Sequence, residues 1–184
     1  MEKAEIQAGK ILKVGITGPE SSGKTWMANY LANRFNDVWL PEYAREYLSK
    51  NGPEYNIDDL HIIAREQLTR EGVFAKKARK VLFCDTDVLV LKIWYQHKFN
   101  VVPDFIQQRL EADTYALHLL MRPDIPYEAD PLRENPEKGK FFFDLFRSEL
   151  EANKLNYGII TGTPEERTKK AGTLITKLLN STPA

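Results

Sequence analysis

The stretch Gly18-Pro19-Glu20-Ser21-Ser22-Gly23-Lys24-Thr25 decides how the chain is interpreted. Its two glycines, separated by four residues and followed by Lys and Thr, match the P-loop phosphate-binding pattern. An alternating β-branched run precedes the loop and a helical spacing of apolar residues follows it, so the loop is predicted to join a strand to the N-terminus of a helix. Backbone amides and the helix dipole then converge on one small volume, which predicts a polyphosphate site.

Each residue type in this loop has a physical reason for its position. Gly23 lets the backbone approach the phosphates, Lys24 reaches the β- and γ-oxygens, and Thr25 offers a hydroxyl to Mg²⁺. We therefore predict ATP and Mg²⁺ as cosubstrates. The predicted nucleotide-binding residues are Gly18, Pro19, Glu20, Ser21, Ser22, Gly23, Lys24 and Thr25.

Strands and helices alternate along the rest of the chain. Apolar and β-branched runs predict strands at 11–17, 38–40, 80–84, 115–121 and 157–161. Helical spacing predicts helices at 25–35, 43–50, 58–79, 87–99, after Pro103, at 141–153 and at 164–179. This alternation favours a three-layer α/β fold, in which a parallel sheet of about five strands has helices on both faces, as one domain over residues 1–184.

The composition excludes several classes of function. Lys plus Arg and Asp plus Glu both total 26, so no global positive field would hold a nucleic acid. The sequence lacks a signal-peptide pattern and an apolar stretch long enough to span a bilayer, so we expect a cytoplasmic protein with no membrane partner. With one cysteine and three histidines, a disulfide or a structural metal is not expected. The oligomeric state is left open.

Asp85 ends the most hydrophobic predicted strand and is the candidate to hold Mg²⁺ together with Thr25. Thr86 follows it where mechanical ATPases place a glutamate that orients water, which favours transfer to an acceptor hydroxyl over hydrolysis. Glu42, just after the second strand, is the candidate to orient that hydroxyl or take its proton. Asp85 and Asp87 are rivals for that role, and Asp87 is also expected to cap the helix that follows it.

Aromatic and basic residues near these carboxylates predict a site for a flat heterocycle. The predicted substrate-binding residues are Glu42, Tyr43, Arg45, Asp87 and Tyr95. Trp94 is interpreted instead as a core residue, since it lies at helical spacing from Val90 and Leu91.

Residues 122–140 contain four prolines among charged residues, which is typical of a long polar loop. We interpret this stretch as a lid, and we expect Arg122 and Arg133 to stabilise the charge of the transferring group when the lid closes. A solvated charged loop is the other interpretation.

The chain resembles the ribosylnicotinamide kinase domain found in bifunctional NAD-biosynthesis proteins and as free-standing P-loop proteins. The resemblance covers nearly the whole chain and is carried by GPESSGKT at 18–25, LPEYAREYL at 40–48, LFCDTD at 82–87, KIW at 92–94 and RPDIPYEADPLRENP at 122–136. It implies a nucleoside-kinase-like fold and phosphorylation of nicotinamide riboside at its 5′-hydroxyl. It also implies roles for Lys24 and Thr25 at the phosphates, for Asp85 near the metal, for residues 42–45 and Asp87 near the acceptor, and for Arg122 and Arg133 in the lid.

Bifunctional members also carry an H-x-G-H signature, and none of the three histidines here lies in such a string. We therefore do not expect this chain to make the dinucleotide. Two other functions stay open: a kinase of another nucleoside or nucleotide, and a P-loop ATPase or switch that acts through a protein partner.

Overall fold

A five-stranded sheet forms the centre of the protein, in the order β2-β3-β1-β4-β5 with all neighbours parallel. The computed structural model describes residues 11–112, 114–126 and 137–181. The strands are β1 (Leu12–Thr17), β2 (Val38–Leu40), β3 (Val81–Asp85), β4 (Leu117–Met121) and β5 (Tyr157–Ile160). The helices are α1 (Lys24–Phe35), α2 (Tyr43–Asn51), α3 (Ile57–Ala75), α4 (Val88–Phe99), α5 (Asp104–Glu111), α6 (Gly139–Ala152) and α7 (Pro164–Ser181). The predicted three-layer α/β fold is confirmed.

Helices cover both faces of the sheet because β3 and β4 carry buried apolar residues on both faces. Val14 and Ile16 of β1 pack on the side of α1 and α7, whereas Leu82 and Cys84 of β3 pack on the side of α2 to α6. Every residue of β3 and β4 is buried, as expected for parallel strands between two helical layers. Within the described ranges, no helix is both long and apolar enough to cross a membrane.

The third helix is shorter than predicted. It begins after Asn56, whose side chain accepts hydrogen bonds from the amides of Asp58 and Asp59 in a capping box, and it ends at Ala75 rather than at residue 79. The carboxylate of Asp37 accepts hydrogen bonds from the amides of residues 79, 80 and 81, at 2.9, 2.8 and 2.9 Å. These amides are therefore bonded to Asp37 and not to helical carbonyl oxygens, so the helix does not continue into β3.

The order of the strands determines where ligands can bind. The loop after β1 lies between the loops after β3 and β4, and the loop after β2 lies next to that of β3. Because all strands are parallel, these loops meet at one edge of the sheet, which is where α/β proteins bind ligands. The P-loop, Glu42 and Asp85 therefore belong to the same edge.

Beneath this edge, Gly15 of β1 lies against a buried polar pair. Asp87 accepts from the amide of Val90 and caps α4, and its other oxygen lies 2.8 Å from Nδ1 of His118 on β4. A Cβ atom at Gly15 would lie 2.3 Å from Oδ2 of Asp87 and 2.9 Å from Nδ1 of His118. The strand therefore needs glycine at this position because of close approach.

We predict that Gly15→Ala lowers the free energy of unfolding by roughly 1–3 kcal/mol or more, since the added methyl overpacks a buried hydrogen-bonded pair. Gly72→Ala is the matched control, because nothing lies within 4 Å of a Cβ there and the residue is in the interior of α3. Alanine in a helix should stabilise by roughly 0.5–1 kcal/mol relative to glycine. Urea denaturation of both variants measures the two effects, and an unchanged midpoint for Gly15→Ala would contradict the packing argument.

Candidate active site

The P-loop takes a shape that requires its two glycines. Gly18 has φ of 136°, and a Cβ there would lie 2.7 Å from the carbonyl oxygen of Met121 at the end of β4. Gly23 has φ of 84° and forms the N-cap of α1 in the left-handed region. Both positions are unfavourable for a residue with a side chain, so the loop geometry explains the spacing seen in the sequence.

The interior of the loop is arranged for an anion. Nζ of Lys24 donates to the carbonyl oxygens of Gly18 and Pro19, at 3.0 and 2.9 Å, and Oγ of Ser22 donates to Pro19 at 2.8 Å. The first turn of α1 contains no acidic residue, and its N-cap Gly23 has no side chain to accept from the helical amides. These amides and the ammonium of Lys24 can therefore donate hydrogen bonds to phosphate oxygens. Residues 18–25, the predicted nucleotide-binding set, all line one cavity.

The carboxylate of Asp85 reaches the start of α1. Its Oδ2 accepts a hydrogen bond of 2.6 Å from Oγ1 of Thr25, and the residue is 1% exposed. Burial raises the pKa of Asp85 to about 6, and the negative charge of Glu42 contributes to this rise, whereas the hydrogen bond from Thr25 opposes it. Among the described residues, Oδ1 has no hydrogen-bond partner.

This arrangement fits Mg²⁺ held mainly by phosphate oxygens and water. Mg²⁺ in such sites uses one or two carboxylates or hydroxyls rather than a cage of protein ligands. In the part of the chain that the structure describes, no group of three acidic, histidine or cysteine side chains forms a metal centre. Thr25 and the unpartnered oxygen of Asp85 are the residues that could hold the ion.

Glu42 and Arg45 also lie in the wall of this cavity. Glu42 lies two residues after the end of β2 and occupies the N-cap position of α2, but its side chain makes no capping hydrogen bond. The carboxylate is therefore not needed by the helix. Its position in the wall allows it to accept a hydrogen bond from a bound hydroxyl.

The cavity extends from the P-loop to an aromatic end, with a total volume of about 670 Å³. This size is in the range of small-molecule sites. Trp94 and Tyr55 meet edge to face with ring centroids 5.4 Å apart, Nε1 of Trp94 donates to the hydroxyl of Tyr55, and Nζ of Lys98 lies 3.3 Å from the centroid of the Tyr55 ring. We call this region the aromatic end; it is lined by Leu48, Tyr55, Val90, Ile93, Trp94, His97, Lys98, Phe142 and Phe146.

One sequence prediction on α4 was incomplete and another was wrong. Trp94, interpreted as a core residue, is partly buried against the core and also lines the aromatic end. Tyr95, predicted to bind substrate, is 0% exposed and packs against His61 and Phe105 between α3 and α5. Consecutive helical residues point about 100° apart, so the two rings face different surroundings.

Asp87 and Tyr43 also lie away from the cavity wall. Asp87 is 1% exposed, and its carboxylate is occupied by the cap of α4 and by His118, so we withdraw its predicted catalytic and substrate-binding roles. The ring of Tyr43 packs against the guanidinium of Arg70, at 4.2 Å from the ring centroid. Tyr43 is not among the residues that line the cavity, so its predicted substrate-binding role is corrected as well.

The predicted lid is described only at its two ends. Arg122 is exposed and its guanidinium lies 5.7 Å from the ring centroid of Phe143, so the structure does not place it at the P-loop. Arg133 lies outside the described residues. The catalytic roles of these two arginines stay predictions.

Sequence reasoning missed Arg167, a buried residue that lines the cavity. It lies in the first turn of α7 and donates to the carbonyl oxygens of Ser22, Gly162 and Arg122, at 2.9, 2.9 and 2.6 Å, and to the carboxylate of Asp124. These partners follow β1, β4 and β5. Arg167 therefore connects the P-loop to the loops after β4 and β5.

Known proteins resemble this chain in sequence. Residues 13–167 match the AAA domain family. The trifunctional NAD biosynthesis/regulator protein NadR of Escherichia coli (strain K12) is 30% identical over 159 residues, which cover 83% of this chain and 39% of that protein. The chain therefore spans less than half the length of this relative.

Solved structures show the same fold. A NadR protein in complex with NR has a TM-score of 0.78 at 19% identity, and one in complex with NAD and AMP-PNP has 0.71 at 20% identity; each comparison covers 95% of this chain and 51% of the other. Shikimate kinase from Acinetobacter baumannii has a TM-score of 0.57 at 17% identity, covering 94% of this chain and 96% of that one. The likeness establishes a kinase-like P-loop fold.

We predict that Lys24→Ala reduces ATP turnover on the order of 100- to 1,000-fold, because the charge that neutralises the transferring phosphate is lost. The fold should persist, since within the described residues the Lys24 ammonium bonds to two carbonyl oxygens of its own loop. Lys50→Ala is the control, because this exposed lysine pairs with Glu46 on α2, outside the cavity wall. Near wild-type turnover in Lys24→Ala, with an unchanged thermal melting curve, would remove the loop from the mechanism.

We predict that Asp85→Asn is more stable than the wild type at pH 7 without Mg²⁺. Unlike the wild type, it should not be stabilised further by Mg²⁺ with AMP-PNP. Burial favours the protonated carboxyl of Asp85 in the folded protein. The free energy of unfolding of the wild type therefore falls as the pH rises from 3.8 to about 6, because the folded protein must then hold the charged form. The variant should gain roughly 1–3 kcal/mol at pH 7, since one pKa unit corresponds to about 1.4 kcal/mol, and little at pH 3. Thermal melting at both pH values, with and without Mg²⁺ and AMP-PNP, measures this; a gain of equal size at both would contradict it.

Proposed function

We propose that this chain, which belongs to the AAA domain family, is an ATP-dependent phosphotransferase that phosphorylates nicotinamide riboside to the mononucleotide. The observation that carries the proposal is the continuity of one cavity. It runs from the P-loop, past Glu42 and Arg45, to the aromatic end. ATP phosphates at one end and a flat ring at the other would bring an acceptor hydroxyl between them.

The residues around Asp85 favour transfer to an acceptor over hydrolysis. Thr86 follows Asp85, is 2% exposed and has no carboxylate to orient a water molecule. Glu42, at the start of α2, has its carboxylate in the cavity wall, close enough to Asp85 for its charge to help raise the pKa of that residue. A base in this position serves an acceptor hydroxyl.

In the proposed reaction, the acceptor oxygen forms a bond to the γ-phosphorus while the bond from that phosphorus to the bridging oxygen breaks, and ADP leaves. The hydroxyl proton passes to the carboxylate of Glu42. Lys24 and the amides of the P-loop offset the charge that develops on the phosphoryl oxygens. Mg²⁺, held near Thr25 and Asp85, would supply further neutralisation of the phosphates.

Nicotinamide riboside is our first choice of acceptor for two reasons. The E. coli relative is a NAD biosynthesis protein by name, and a structurally similar NadR protein was solved with NR. In addition, the pyridinium ring of nicotinamide riboside is flat and cationic, and aromatic faces attract such rings. Trp94 and Phe142 provide aromatic surface in the cavity wall, although aromatic walls also stack against other nucleosides.

We predict that Glu42→Gln lowers kcat for the acceptor roughly 100- to 10,000-fold, because an amide can hold the hydroxyl but is a poor proton acceptor. The affinity for Mg²⁺ and AMP-PNP should stay within about threefold, as positioning of the acceptor is not needed for nucleotide binding. The matched control is Glu46→Gln, one turn along α2, whose partners are Lys50 and Arg70. A wild-type kcat in Glu42→Gln would show that another group accepts the proton.

The acceptor itself is tested by product analysis. Wild-type protein is incubated with ATP and, separately, nicotinamide riboside, uridine, and deoxynucleosides, and products are identified by mass. If another nucleoside is phosphorylated and nicotinamide riboside is not, the proposed acceptor is wrong and the proposed kinase activity stands. Acceptor-independent ATP hydrolysis alone would favour an ATPase or switch.

A further inference from the structure

Gln67 is a buried residue of α3 that lies behind the active site. It is 2% exposed and is not part of the cavity wall. Its Oε1 accepts a hydrogen bond of 2.7 Å from the backbone amide of Tyr43. Its Nε2 lies 3.3 Å from the carbonyl oxygens of both Asp85 and Thr86. One side-chain amide thus connects the ends of two neighbouring strands.

These strand ends carry the two carboxylates of the site. Glu42 precedes Tyr43 directly, and Asp85 is itself a partner of Gln67. The backbone pairing of β2 with β3 ends one step earlier, at Leu40 with Cys84. Beyond this pair the sheet no longer fixes the separation of the two chains, and Gln67 takes over by accepting from one and donating to the other.

The backbone at Thr86 shows that this junction is held against a local preference. Thr86 has φ of 76°, a left-handed conformation that is rare for a β-branched residue. Such conformations persist where surrounding contacts over-determine them, and they cluster at functional sites. The bond from Gln67 to the Thr86 carbonyl is one of those contacts, and the cap of α4 by Asp87 follows directly.

We propose that Gln67 is a positioning residue that fixes Glu42 relative to Asp85, and so places the acceptor hydroxyl relative to the phosphate that is transferred. The inference rests on the proposed kinase function. It requires a side chain with both an acceptor and a donor at its tip: glutamate keeps the acceptor and loses the donor, and methionine has similar length but lacks the N–H donor and the strong oxygen acceptor.

The test compares Gln67→Met with Ile63→Val, a variant one turn earlier on α3 that trims a buried apolar side chain. For the nucleoside that the wild type phosphorylates, kcat of Gln67→Met should fall at least tenfold. Its affinity for Mg²⁺ and AMP-PNP should change less than threefold, and Ile63→Val should keep kcat within twofold. Exchange of the Tyr43 amide, followed by NMR, should become at least tenfold faster in Gln67→Met and not in the control.

A double-mutant cycle separates positioning from general loosening of the fold. If Gln67 acts through Glu42, Gln67→Met should cost less than threefold in kcat when Glu42→Gln is already present. The same tenfold loss in both backgrounds, or an unaffected kcat in the single variant, would overturn the proposal while leaving the kinase intact. Wild-type protein that phosphorylates no nucleoside would instead overturn the proposed function, and the positioning role with it.

Discussion

The hydrogen bond from Thr25 to the buried carboxylate of Asp85 is the interaction on which the site depends. It joins the first turn of α1 to the end of β3. Because β1 leads into the P-loop and pairs with β3, the register of these two strands sets the position of Asp85 relative to the loop. Burial raises the pKa of this carboxylate, which means that the folded protein resists its charge. The residue is therefore kept at a cost in stability, as expected of a group whose charge is needed only when nucleotide and metal arrive.

Buried polar groups beneath this edge of the sheet hold the backbone of the site in place. Gln67 and Glu71 lie one turn apart on α3, and both are 2% exposed. Glu71 binds Lys13 of β1 at 2.8 Å and Arg109 at 2.5 Å, and it also accepts from the hydroxyl of Tyr115. A buried charge needs such partners because desolvation is costly. The same helix thus anchors the sheet through Glu71 and the loops that carry the active-site carboxylates through Gln67.

Local patterns in the sequence were sufficient to predict the strands, the helices and the P-loop, because each is encoded by residues close together in the chain. The face of α4 was not predictable in this way. Its residues 88–91 and 93 are all apolar, and both helical neighbours and the cavity accept apolar side chains, so the pattern did not show that Trp94 faces the cavity and Tyr95 the core. Gln67 and Arg167 were missed for a related reason: polar residues in helices usually face solvent, and apart from Gly162 the partners named for them lie 18 to 145 residues away along the chain.

The two ends of the cavity are built from different elements. The phosphate end uses the loop after β1, the start of α1 and the end of β3, whereas the aromatic end uses α2, α4, α6 and the segment that contains Tyr55. In the proposed reaction, residues at the first end would meet groups common to all nucleoside triphosphates, and those at the second would meet the acceptor. A fold divided in this way would allow the acceptor to change through substitutions on α4 and α6 while the residues of the phosphate end are retained. Glu42 and Gln67 would then act between the two ends, where the acceptor presents its hydroxyl to the phosphate that is transferred.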